Sequence, residues 1–394
     1  MMSLEGVQVV EFCEIAAGPY CSMLLADQGA AVIKVEKPTG DAMRTWPPIT
    51  GPSEVGADVS SGGFSENFAS INRSKRSIAL DMKSDDGLAA AKALIGRADV
   101  VVENYRPGVM AKLGIGYEAM SAVNPGVIYC SISAFGQEGP RSTEGGFDLT
   151  MQAMAAVMSV TGDPDGDPVK CGVPLCDFVA GLYGAFGVAS ALQARARSGL
   201  GQHIDVSMLG TTLAIGALQT SEYFGTGQDP RKLGSAHPRN APYQAFRSAD
   251  GHFGMAAGNN SLWERVCEVV GLPELLDDDR YRTPVLRAAN QDGLRETLET
   301  IFVTELSSHW LAAFASAGVP SSPINSYSDA LADPQVEHME WVQTLTLPNG
   351  QETRTFGPAL RIDGESIPVR SAPPLLGEHT DEILTELGLN PTDG

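Results

Sequence analysis

Positive charge is scarce in this chain of 394 residues, where 27 Lys and Arg stand against 48 Asp and Glu for a net charge of −21. A chain so acidic repels a phosphate backbone, which argues against nucleic-acid binding without a concentrated basic patch. The six cysteines (Cys13, Cys21, Cys130, Cys171, Cys176, Cys267) include no CxxC pair, and a reduced compartment suits them as buried free thiols. None of the six histidines (His203, His237, His252, His309, His338, His379) has metal-ligand spacing, so no metal is expected. A basic region ahead of the first apolar run is missing too, so "MMSLEGVQVVEF" reads as a first strand and not as a signal peptide. The most apolar segment, Phe178 to Leu192, is short and rich in Gly and Ala for a bilayer span. A cytoplasmic enzyme without membrane attachment is the expectation.

What is present is an alternation. "VQVVEF", "AVIKVEKP", "RSIALDM", "DVVVENY" and "GVIYCSISAF" read as strands, interleaved with helical stretches such as "GPYCSMLLADQG" and "SDDGLAAAKALIGRA". Strands alternating with helices imply an α/β fold with a doubly wound parallel sheet, whose ligands sit beyond the carboxyl ends of the strands. The turn after the first strand reads "CEIAAGP" and lacks G-x-G-x-x-G, which counts against a dinucleotide enzyme. "TGDPDGDP" (161–168) reads as a turn-rich loop whose aspartates form turns instead of binding calcium. After "FGTGQDPRKLGSAHPRN" the texture changes to a strand pair, "APYQAF" with "HFGMAA", followed by helices. Three segments are expected: 1–220 as the first part of a large domain, 221–335 as a small α+β domain, and 336–394 returning to the large domain.

Asp177, in "PLCDFVAG", heads an otherwise apolar run. Its plain reading is a helix cap. Gly181, Gly184 and Gly187 recur behind it at three-residue spacing, so the helix is expected to be buried and closely packed. A buried carboxylate must be paired, satisfied by N–H donors, or functional. The helix N-terminus is expected to hold Asp177 ionised, as a competent nucleophile toward an activated acyl group. Neighbouring Cys176 is a poorer candidate, since nothing near it in sequence lowers a thiol pKa. A second constellation is basic: Lys34, Lys37, Lys75, Arg76, Arg106 and Lys112 recur near predicted strand ends, where together they form a rim suited to a phosphate-bearing ligand.

The blocks "AAGPYCSMLLADQGAAVIKVEKPTGD", "NRSKRSIALDMKSDDG", "ADVVVENYRPGV", "NPGVIYCSISAFGQEGP", "PLCDFVAGLYGAFGVASAL" and "PLLGEHTDEIL" together resemble the family III CoA-transferases, which include formyl-CoA:oxalate CoA-transferase. The resemblance runs over almost the whole chain and is weakest over 220–340. It implies a Rossmann-like large domain formed by both chain ends, a small domain, and a homodimer of two interlocked subunits. It implies no tightly bound cofactor, with a coenzyme A thioester and a free carboxylic acid as the substrates. By resemblance Asp177 matches the catalytic aspartate, which forms a mixed anhydride and then an aspartyl-CoA thioester. Lys37, Lys75, Asn104, Tyr105 and Lys112 match CoA-contacting positions. Ala16 matches a position near the reacting acyl group and offers only backbone, and Arg106 stands as a phosphate or acid partner.

The α-methylacyl-CoA racemases share the fold and set the alternative. They oppose the aspartate with a histidine that directly precedes the aspartate of a "GHD" motif, so that a proton leaves one face and returns on the other. This sequence reads "GGFD", with Phe147 in the histidine's place. Phenylalanine carries no proton, so a transferase is the preferred reading; the resemblance to enzymes that use succinyl-CoA implies it as donor, with a dicarboxylate such as itaconate, mesaconate or citramalate as acceptor. The glycine run of the formyl-CoA enzyme is replaced by "AAGNNSLW", which turns the expectation away from oxalate and formate.

Overall fold

The computed structural model describes residues 2–51 and 62–389. Two compact units divide the chain: residues 1–157, 170–226 and 334–394 form the first, and 158–169 with 227–333 form the second. The loop 158–169 thus belongs with the second unit, although nothing local in its sequence separates it from what precedes it.

The first unit is built on β1 (Gln8–Phe12), α1 (Ala17–Asp27), β2 (Ala31–Glu36), β3 (Lys75–Ala79), α2 (Asp85–Arg97), β4 (Val100–Glu103), α3 (Val109–Lys112), α4 (Tyr117–Val123), β5 (Ile128–Ser133), α5 (Asp148–Met154), α6 (Leu175–Ser198), β6 (His203–Ser207), α7 (Met208–Ile215) and α8 (Ala217–Thr226). The six strands are all parallel and lie in the order β3-β2-β1-β4-β5-β6. Strands covered on both faces need apolar side chains on both faces, which is why they read as continuous runs such as "VVV" in β4. Val9, Val102, Cys130 and Ile132 pack toward α1 and α6 on one side. Val10, Val101, Ile78 and Tyr129 pack on the other, toward α2 and the last helix, α12 (Thr380–Leu387), which adds Ile383 and Leu384 to that core.

Local chemistry sets the ends of these helices. Ser84 accepts from the Gly87 N–H at 3.0 Å to start α2, with Asp85 and Asp86 complementing the helix dipole. Gly199, at φ 71°, ends α6 in the left-handed conformation that L residues avoid. At 24 residues α6 is longer than its apolar run predicts, and by length and composition it is able to cross a bilayer. Its small residues serve close packing instead. A Cβ at Gly181 would stand 2.6 Å from the Ala17 carbonyl oxygen, and one at Gly187 3.1 Å from Ile204.

The second unit holds a three-stranded antiparallel sheet of β7 (Tyr243–Arg247), β8 (His252–Ala256) and β9 (Ser321–Pro323), ordered β9-β8-β7. Helices α9 (Asn260–Val270), α10 (Gln291–Phe302) and α11 (Ser307–Ala317) bury Trp263, Phe302 and Phe314 against Phe246 and Phe253. The 334–389 segment returns to the first unit with a hairpin, β10 (Val342–Thr346) and β11 (Glu352–Phe356), before α12.

Candidate active site

The strand order reverses between β1 and β4: the chain leaves β1 for β2 on one side and later returns to β4 on the other. In open parallel sheets a crevice opens there, beyond the carboxyl ends. The loops that follow β1 and β4 carry Ala16 and the run Asn104, Tyr105, Arg106. Asn104 ties the two loops together, its side chain accepting from the Glu14 N–H at 3.0 Å and donating to the Glu14 carbonyl at 2.8 Å. Ile15, in the same turn, has φ 67°, a conformation costly for a β-branched residue and concentrated at functional sites.

Asp177 reaches this crevice through helix packing. The Ala17 carbonyl lies beside Gly181 and the Cys21 sulfur beside Gly184, so α1 and α6 run parallel. Asp177 is four residues before Gly181, on the same face and one turn, about 5.4 Å, nearer the helix start. That level is one turn before Ala17, opposite the 13–16 turn. The Tyr20 and Phe178 rings, 4.7 Å apart, pack the two helices together beside it.

Asp177 is not the cap the sequence suggests. It is the third residue of α6, and the cap is Asp148, which accepts from the Cys176 N–H at 2.9 Å. Gln152, buried on α5, donates to Asp148 at 2.7 Å and accepts from the Cys171 N–H at 2.8 Å, fixing the segment that leads into α6. Asp177 itself accepts no hydrogen bond and meets no cation among the described residues. Burial, aided by the Asp148 charge, pushes its pKa up to about 7. The ionisation expected at the helix N-terminus is therefore only partial near neutral pH, because desolvation and a like charge oppose it. Cys176 is buried, which pushes its thiol up to about 11 and leaves it no thiolate character. Phe147, next to the capping aspartate, is 72% exposed.

The basic rim separates into two groups. Lys37 follows β2 at its carboxyl end, 48% exposed and paired with Glu14 at 2.9 Å. Arg106 and Lys112 are exposed, and neither makes an ion pair among the described residues. Tyr105 is partly buried, which pushes its hydroxyl up to about 12. Lys75 corrects the rim reading: it opens β3 instead of closing it, and only 3% of it is exposed. Its ammonium donates to Glu11 at 2.8 Å, to the Pro19 carbonyl at 2.9 Å and to Asn72 at 3.0 Å, leaving nothing for a ligand. Lys34 is buried likewise, on Glu11 and Asp41. Arg76 pairs with Glu382 and Glu386 of α12.

Two features at this end of the sheet escape sequence reasoning. Glu103, the last residue of β4, is buried, and this outweighs its hydrogen bonds to Ser131 and the Tyr105 N–H and carries its pKa up to about 7. Beyond the carboxyl end of β3 lies a cleft of about 1000 Å³ lined by Pro38, Leu80, Asp81, Leu376 and Leu384, and Lys83 follows Leu80 exposed and without an ion pair among the described residues. A period-two pattern marks a strand without marking which lysine near it reaches solvent. Among the described residues no group of three or more His, Cys, Asp or Glu is placed to hold a metal ion.

Known proteins resemble this chain in sequence and fold. The sequence profile of CoA-transferase family III matches residues 4–380. The succinyl-CoA:glutarate CoA-transferase of Mus musculus is 39% identical over 388 residues, covering 98% of this chain and 87% of that one. The succinyl-CoA:mesaconate CoA-transferase of Haloarcula hispanica is 36% identical over 394 residues, covering 99% and 97%. The crystal structure of a CAIB/BAIF family protein from Brucella suis superimposes with a TM-score of 0.85 at 37% identity, covering 98% of this chain and 99% of that one. With match and fold extending over nearly the whole chain, this protein belongs to CoA-transferase family III and is an enzyme that moves CoA between acids.

Proposed function

We propose that this enzyme takes CoA from succinyl-CoA and gives it to a second, short dicarboxylic acid of the glutarate or mesaconate kind, with Asp177 as the nucleophile. The observation that carries the mechanism is the Asp177 carboxyl, unpaired among the described residues, with a pKa of about 7. An ionised fraction with no cation to quench it is a better nucleophile than a salt-bridged carboxylate. One Asp177 oxygen attacks the thioester carbonyl, the C–S bond breaks, and the CoA thiolate leaves a succinyl-aspartyl anhydride. The thiolate then attacks the aspartyl carbonyl, releasing succinate and forming the aspartyl-CoA thioester. The acceptor carboxylate displaces the thiolate again, and attack of that thiolate on the acceptor carbonyl frees Asp177 and the new acyl-CoA.

Lys37, Arg106 and Lys112 supply charge for the CoA phosphates. Asn104 and Tyr105 wall the pantetheine path, and the cleft beside Pro38, with Leu80 and Leu376 among its apolar walls, suits the adenosine end. Ala16 and the first turn of α1 offer backbone N–H groups to the developing oxyanion. The Phe147 side chain, unable to carry a proton, fits transfer and not racemisation. Leu182, Phe186, Leu218 and Phe224 are exposed on α6 and α8, with Phe186 at 70% and Phe224 at 81%. Apolar exposure on that scale marks a partner surface, and we assign it to a homodimer, interlocked as the family resemblance implies; sedimentation should return twice the chain mass. Six free thiols suit a reducing, cytoplasmic setting.

The test is a mass-spectrometric panel in which succinyl-CoA is mixed with glutarate, mesaconate, itaconate, citramalate or oxalate. New acyl-CoA is expected with at least one five-carbon diacid, and hydroxylamine should trap modification at Asp177. Exchange that continues undiminished in Asp177→Ala sinks the nucleophile assignment.

A further inference from the structure

Beneath the β1–α1 turn lies a closed group of four charges. Glu11, Lys34 and Asp41 have no exposed side-chain area, and Lys75 is as deeply buried. Lys34 donates to Glu11 at 2.9 Å and lies 3.0 Å from Asp41, Lys75 donates to Glu11 at 2.8 Å, and Ser22 donates to the same carboxylate. Such a group is a poor way to gain stability, since apolar residues of equal volume commonly serve as well. What apolar residues cannot do is hold backbone polar groups at fixed points.

This group holds several, all around one turn. Lys34 donates to the Cys13 carbonyl at 2.8 Å, and both Asp41 oxygens accept from the Ile15 N–H at 3.2 Å. Lys75 donates to the Pro19 carbonyl just inside α1 at 2.9 Å. With Asn104 on both polar groups of Glu14, the backbone from Cys13 O to Ile15 N is gripped at every step. The residue so held is Ile15, at φ 67°. A strained conformation persists only where its surroundings over-determine it, and here the surroundings are ionic. The turn faces Asp177 across the α1–α6 packing described above.

We propose that Asp41 and Lys34 are positioning residues for the transfer reaction, holding the 13–16 turn in its strained form so that its backbone stays in register with the acyl group on Asp177. The inference rests on the reading of Asp177 as nucleophile. Neither side chain touches substrate, so their effect falls on kcat and not on binding, and misplacement by an ångström costs up to about 100-fold.

Asp41→Leu, with the same branched skeleton but without an acceptor for the Ile15 N–H, should lower kcat about 10- to 100-fold while KM for succinyl-CoA stays within about twofold. Asp41→Asn keeps an oxygen for that N–H and should recover at least about a third of the wild-type kcat. Wild-type kcat in a folded Asp41→Leu protein overturns the proposal, as does an Asp41→Asn protein as impaired as Asp41→Leu. Where the leucine variant does not fold, Asp41→Ser, too short to reach Ile15, takes its place under the same criteria. Asp177→Asn is measured alongside. Persisting exchange there removes the nucleophile reading, whereas its loss together with full kcat in Asp41→Leu removes only the positioning role.

Discussion

Two carboxylate sites of the first unit, one fully buried and one half-buried, have opposite surroundings. Glu11 lies between two ammonium groups and a serine hydroxyl, whose attraction overcomes the upward push of its burial and sets its pKa at about 2. Asp177 meets no cation among the described residues and lies near Asp148, so its desolvation goes uncompensated and its pKa rises to about 7. The first carboxylate is permanently charged and inert; the second is poised between its two forms at neutral pH. The difference teaches that burial alone does not make a carboxylate reactive. What matters is whether the fold has already satisfied it.

The largest break of this comparison is Asp177→Asn. CoA exchange should fall by at least about a thousandfold. Because the folded-state pKa of Asp177 lies above its unfolded value, the unfolded chain releases this proton first. Stability is then lost as pH rises from about 4 to 7, and the asparagine variant escapes that loss. It should unfold about 1–3 kcal/mol later than wild type at pH 8 by chemical denaturation. A less stable Asp177→Asn would show that the carboxylate is satisfied after all.

Treating the other region in the same way should do the reverse. Lys75→Met leaves Glu11 with one ammonium where it had two, and a loss of about 3–5 kcal/mol is expected, readable as a lowered denaturation midpoint. If Lys75→Met leaves stability unchanged and raises KM for the acyl-CoA, Lys75 faces ligand and the burial argument fails.

The pH dependence sharpens the contrast. The rate of Asp177 acylation should fall about tenfold per pH unit below about 7, as the nucleophile protonates. Glu11 acts in a different window. Its folded pKa is depressed, so its contribution is present above about 4.5 and is lost as pH falls toward 2. Single-turnover rates and unfolding midpoints across pH 3–8 separate the two, and a coincident loss would contradict both assignments.

The smallest effects are expected at the exposed cations. Lys37→Ala and Arg106→Ala should each raise KM for the acyl-CoA about three- to tenfold with kcat nearly unchanged. Stability should move by less than about 0.5 kcal/mol, because Lys37 shares its charge with Glu14 in solvent.

Much of this was open to a reader of the sequence. The apolar runs of β1, β2, β4 and β5 mark buried parallel strands because each strand needs apolar contacts on both faces. Gly181, Gly184 and Gly187 announce close packing because no other residue permits it, and the α1–α6 approach follows. The separate blocks around Asp177 and "VVENYRPG" point to the family that the match over residues 4–380 confirms. Lys75 misled because its neighbours in sequence, Arg76 and Ser77, give no sign of Glu11, which lies 64 residues away. The capping role moved from Asp177 to Asp148 for the same reason, the contact spanning 28 residues.

The sequence by itself determined what depends on short range: the strand and helix alternation, the Ser84 cap of α2, the glycines that end α6 and α12 at Gly199 and Gly388, and the net acidity of the chain. Tertiary structure decided which lysines became internal counter-ions, which aspartate became a cap and which carboxyl was left without a counter-ion among the described residues. The physical reason is that hydrophobic periodicity and capping are summed over neighbours along the chain. Desolvation and Coulomb interactions are summed over neighbours in space, and Glu11 meets Lys75 and α5 meets α6 only after folding.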